Sequence, residues 1–141
     1  MTTRTTFLIV LLAVTSCLQA QTAAKTFNKT FNTSGQGTIV LDLPGTVDLK
    51  VWDSPTVRIE ISVSLASGNS AMLSELATVG RYNVMAKPNG DQLLISAPNM
   101  AKQVRVKGET IRETLTFVVF VPKDLKIEMH NTEALADSKK E

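Results

Sequence analysis

Trp52 is the only tryptophan in the chain, and Asp48 and Lys50 precede it at intervals of two. On an extended strand that spacing places all three side chains on one face. An indole beside a carboxylate and an ammonium suits stacking on a sugar ring or anchoring a partner. The plainer alternative is a ring covered by a neighbouring strand or helix. Reactive groups elsewhere are sparse. His130, the only histidine, alternates with Lys126 and Glu128, which reads as a solvated strand face, and a metal site on one imidazole needs carboxylates for its other ligands. Asp42, Asp48 and Asp53 fall on a strand, on the next strand and in a turn, without the loop spacing of a hard-cation site. Acid–base chemistry would require Asp42, Asp48 or Glu60 to converge in a cleft. No Gly-x-Ser-x-Gly, phosphate loop or dinucleotide fingerprint occurs. The expectation is a non-enzymatic protein with no catalytic residue, no cofactor and no metal.

The N-terminus has the parts of an export signal. A short polar segment carrying Arg4 leads into the apolar stretch 7–14 (FLIVLLAV), followed by small residues. The apolar stretch is shorter than the roughly 20 residues of a transmembrane helix. Cleavage after Ala20 leaves a chain starting at Gln21. The alternative is a lipobox-like cut before Cys17, whose thiol would then carry diacylglycerol and tie the protein to a membrane. Cys17 is the only cysteine, so the domain beyond it has no internal disulfide although the signal implies an oxidising compartment. The formal net charge of +2 comes without a Lys/Arg stripe, which argues against a nucleic-acid partner.

The expected organisation is a signal segment over 1–20, a polar lead-in over 21–36, a β-domain over 37–131 and a flexible tail over 132–141. The lead-in carries Phe27 and Phe31 and has room for a short strand. From Gly37 the hydrophobic period is two. Ile39, Leu41 and Leu43 end at Pro44-Gly45, Val47, Leu49 and Val51 end at Asp53-Ser54-Pro55, and Val57 to Leu65 alternates with Arg58, Glu60, Ser62 and Ser64. Such runs separated by turns predict strands with one wet and one buried face. Arg58 and Glu60 are placed to pair across strands with Asp48 and Lys50. Met72, Leu73, Leu76 and Val79 fall at helical spacing between Ser70, a suitable N-cap, and Gly80, a suitable stop. A helix over about 70–79 is too short to stand alone and must pack on the sheet. Asn89-Gly90 marks a hairpin, and 99–111 reads as an irregular connection with a short edge strand. The continuously apolar TLTFVVFV over 114–121 reads as a central strand covered on both faces. Leu125, Ile127 and Met129 then form a last strand. The fold expected is all-β, a single β-sandwich or short solenoid-like antiparallel sheet with one short helix.

Three stretches carry a resemblance: GQGTIVLDLPGTVDLKVWDSPTVRIEISVSL (35–65), LATVGRYNV (76–84) and LTFVVFVPKDLKIEMHN (115–131). Together they resemble the bacterial exported adhesin-like family of unknown function, whose members form β-solenoid or head domains. The resemblance implies a structural or interaction role in the cell envelope and supplies no catalytic residues. In that family the strand after the Pro turn leads into further rungs, whereas this sequence ends at Glu141. The expected setting is the periplasm or cell surface, with an envelope or extracellular partner and membrane attachment only through a lipidated Cys17. Two further expectations are self-association through edge strands and, as the alternative function, glycan or apolar-ligand binding on Trp52.

Overall fold

A computed structural model describes residues 22–67, 69–130 and 133–134. The export segment, Cys17 and most of the expected tail lie outside these residues. The strands are β1 (Ala23–Asn32), β2 (Thr38–Asp42), β3 (Thr46–Trp52), β4 (Thr56–Leu65), β5 (Met85–Asn89), β6 (Gln92–Ser96), β7 (Val104–Val106), β8 (Glu109–Ile111), β9 (Glu113–Pro122), β10 (Lys126–Met129) and β11 (Glu133–Ala134), with helix α1 over Ser70–Thr78. The first sheet has the order β1-β4-β9-β3-β11, the second β10-β2-β6-β5, and β7-β8 is a separate hairpin.

The fold is all-β with one short helix, as the alternation requires, but the sheets are mixed where antiparallel pairing was expected. β1, β4 and β9 pair antiparallel, while β3 is parallel to β9 and β11, and β2 is parallel to β6 and β10. The cause lies in the connections. The β2–β3 unit crosses from one sheet to the other through Leu43-Pro44-Gly45, and β10–β11 repeats that step alongside it, Lys126 beside Thr38 and Glu133 beside Thr46. Stacked units that run the same way can pair only in parallel. Gly45 permits the crossing because a Cβ there would sit 2.7 Å from the Leu115 carbonyl oxygen.

The core lies between the two large sheets. Val57, Ile59, Ile61, Val63 and Leu65 of β4 and Phe117, Val119 and Val121 of β9 face Ile39 and Leu41 of β2 and Leu93 and Ile95 of β6, all buried. The residues expected as a polar lead-in form a full ten-residue strand. Phe27 and Phe31 sit opposite Ile61 and Val57, which puts them on the core face. Helix α1 buries Leu73 and is capped by Asn69, whose Oδ1 accepts from the Met72 amide, so the cap is one residue earlier than Ser70. The β5–β6 turn is Gly90-Asp91 with Gly90 at φ +59°, as a two-residue hairpin needs. The stretch 99–111, expected to be irregular, holds the β7–β8 hairpin, turned at Lys107-Gly108.

Candidate functional site

The parallel register of β3 on β9 matches Val47 with Phe117, Leu49 with Val119 and Val51 with Val121. All three β9 residues are buried, so the β3 residues project to the same core face. Val47 is buried, yet Leu49 is 36% and Val51 64% exposed. The alternation in the sequence predicts both in the interior. Their face is the interior one, but the described part of β11 pairs only with Thr46 and Val47, and no described residue buries them. β10 shows the same condition. Ile127 and Met129 match the buried Ile39 and Leu41, and Met129 is 40% exposed. Among the described residues, the core is thus left open along the ends of β3 and of β10. On the other face of β10, Lys126 and Glu128 form a 2.7 Å ion pair, whose hydrogen bond raises the Lys126 pKa and lowers that of Glu128.

Asp48, Lys50 and Trp52 share the outer face of the five-stranded sheet, as their spacing predicts. The Trp52 indole N–H donates to the Thr56 carbonyl at 2.8 Å, and its ring lies 5.4 Å from that of Phe120, tilted by 42°. A neighbouring strand thus half-covers the indole. Because β9 lies between β3 and β4, Arg58 and Glu60 cannot reach Asp48 and Lys50 as cross-strand partners. Each strand pairs its own charges instead, Arg58 with Glu60 at 2.6 Å and Lys50 with Asp48 at 3.7 Å. Lys50 and Arg58 flank the Phe120 ring at 5.9 and 5.6 Å. β9 is central in its sheet, but among the described residues no second layer covers its outer face, where Val118 and Phe120 are half-buried.

Asp48 and Glu60 flank Val118 in one row, two strand spacings or ~10 Å apart, and Asp42 belongs to the other sheet. The three carboxylates do not converge. Among the described residues no group of three His, Cys, Asp or Glu residues lies together at metal-binding distance. His130 is exposed, and its backbone N–H donates to Leu41 at 2.8 Å.

Sequence reasoning missed one polar cluster. Arg81, 8% exposed, donates to Glu113 through Nη2 at 2.5 Å and Nε at 3.3 Å, and to the carbonyls of Asn99 and Met100. The Tyr82 hydroxyl donates to Glu113 at 2.7 Å, and its ring stacks on Phe27 at 5.2 Å. Burial pushes the Tyr82 phenol far above its usual range, and the Glu113 hydrogen bond and charge push the same way. Arg81 and Glu113 also line a cleft of about 770 Å³ whose rim includes Lys102, Gln103 and Arg112. With every cluster member engaged inside the protein, the arrangement ties β9 to the 97–103 loop. Thirty-two residues separate Arg81 from Glu113, and no local pattern announces the pair.

No family model and no curated protein matches the chain. Solved structures do match, among them two of bacterial origin. One is a candidate cell adhesion protein from Clostridium sporogenes, at 11% identity and a TM-score of 0.42, covering 75% of this chain and 45% of that one. The other is a candidate adhesin from Parabacteroides distasonis, at 15% identity and a TM-score of 0.39, covering 78% of this chain and 37% of that one. In both, this chain spans less than half the length of the matched protein.

Proposed function

We propose that this chain is a non-enzymatic, exported β-domain of the bacterial cell envelope with an adhesin-like interaction role, and that its working surface is the open end of the core. The observation that carries this is Val51, an inward-facing residue 64% exposed, with Leu49 and Met129 in the same condition. Apolar surface of this kind is what a protein partner covers. The N-terminal apolar stretch 7–14, followed by a cut before Cys17 or after Ala20, supports export. The test is a photo-crosslinking residue at Val51, compared with one at Asn28 on the outer face of β1, in the native envelope. Adducts at Val51 and none at Asn28 are expected. Equal capture at both positions, or none at Val51, removes the basis of this reading.

A second reading rests on the outer face, where Trp52 and Phe120 form an aromatic pair flanked by Lys50 and Arg58. That surface suits an anionic glycan, stacked on the rings and neutralised by the cations. Tryptophan fluorescence reports on Trp52 alone, so a titration with alginate should shift the emission while neutral dextran leaves it unchanged. An unresponsive spectrum with both removes the glycan reading.

A further inference from the structure

We infer that the β10 edge pairs with the β10 edge of a second copy of this chain, antiparallel about a two-fold axis at Ile127. This rests on the reading of the open end as the working surface and names its occupant.

The backbone of β10 sets the geometry. The amides of Lys126 and His130 donate inward, to Gly37 and Leu41 at 3.1 and 2.8 Å. Polar groups alternate in direction along a strand of a parallel pair, so those of Ile127 and Met129 point to the outer edge. Two such edges meeting antiparallel about Ile127 form a hydrogen-bonded pair there, each Ile127 exchanging both bonds with its copy. The Met129 amide then donates to the Leu125 carbonyl of the second copy. The Leu125 amide is already turned to Pro122, so its absence from the ladder costs nothing.

The side chains fit the same register. Across the axis Lys126 stands opposite Glu128 of the second copy and Glu128 opposite its Lys126, so the four charges alternate in sign around the two-fold. On the core face Met129 meets Leu125 and Ile127 meets itself, extending an apolar row that begins at Ile39 and Leu41. Shifting the register by one residue breaks both matches, since charge would then face apolar side chain. An isologous interface needs a patch complementary to itself, and this strand supplies one in charge and in hydrophobicity.

The edges of β1 and β5 are guarded. β1 carries Lys25 and Lys29 at positions matched to the buried Val63 and Ile59, which are inward-pointing charges that obstruct further pairing. β5 carries Pro88, which has no amide to offer. β10 has neither device.

Sedimentation equilibrium of the full processed chain purified from the envelope tests the pairing, with circular dichroism as a check on folding. A dimer is expected. Glu128→Lys sets like charges opposite each other at two places and should weaken it about tenfold. Adding Lys126→Glu reverses both signs and should restore it. Separately, Ile127→Cys should form a disulfide-linked dimer after export, because its Cα meets its own copy at about 5.5 Å, within disulfide reach. Met129→Cys faces Leu125 and should not. A wild-type chain monomeric at several hundred micromolar, a double variant that stays monomeric, or Met129→Cys crosslinking in place of Ile127→Cys each overturns the inference. A monomer whose Val51 still captures another macromolecule overturns the pairing while leaving the proposed function intact. A dimer with no Val51 adduct does the reverse.

Discussion

Replacing Glu113 by leucine should cost more stability than deleting the whole ion pair. The carboxylate accepts from Arg81 Nη2 at 2.5 Å, Arg81 Nε at 3.3 Å and the Tyr82 hydroxyl at 2.7 Å. The two side chains of the pair are 8% and 6% exposed. Glu113→Leu therefore strands a guanidinium away from water, with only the Asn99 and Met100 carbonyls left to it. Removing one partner of a buried pair costs ~3–5 kcal/mol, a large share of the 5–15 kcal/mol that holds a typical domain folded. The double variant Arg81→Met/Glu113→Leu buries no charge. It forfeits the hydrogen bonds of Asn99, Met100 and Tyr82, at about 1 kcal/mol each. The double variant is thus expected to be no less stable than Glu113→Leu alone, a coupling that only contact in a low-dielectric interior produces. Urea unfolding followed through Trp52 reads the difference, and with m near 1–3 kcal/mol per molar the single substitution should lower the midpoint by about 1–5 M. A loss below ~1 kcal/mol for Glu113→Leu, or a double variant costing the sum of both singles, would show that water reaches the pair and refute the reasoning.

Tyr82 makes a pH-dependent contribution. Its folded pKa is raised above the unfolded value near 10, so the folded state binds the phenolic proton more tightly. That stability is complete below pH ~10 and is lost as pH rises beyond it. Denaturation midpoints should fall above pH ~10, less steeply in Tyr82→Phe. As the chain has one tyrosine, ultraviolet absorbance should detect no phenolate until the protein unfolds; a phenolate titrating near pH 10 in the folded protein would contradict the burial. Gly45→Ala should destabilise by ~1–3 kcal/mol, because the added methyl meets the Leu115 carbonyl and the Phe117 ring at 2.7 and 3.1 Å. A thermal midpoint equal to wild type would mean that the β2–β3 crossing yields without strain.

What the sequence determines by itself is local. Alternation marks β2, β3, β4 and β10 because one pleat face must shed water, a continuous apolar run marks β9, and the spacing of Leu73 and Leu76 marks the helix. It places Asp48, Lys50 and Trp52 on one face, since strand geometry makes that a matter of counting. It cannot say which strands become neighbours. Parallel pairing of β3 with β9 and of β2 with β10 joins segments far apart in the chain, and that choice separates Asp48 and Lys50 from Arg58 and Glu60. The sequence also marks Leu49 and Val51 as inward-facing, and only the structure shows that the described residues leave them exposed. Lys25 and Lys29 make β1 read as a polar lead-in, because an edge strand needs to bury only part of its inner face. Arg81, Tyr82 and Glu113 carry no pattern at all. A buried charge is recognisable only by its partner, and only the tertiary structure brings that partner across thirty-two residues.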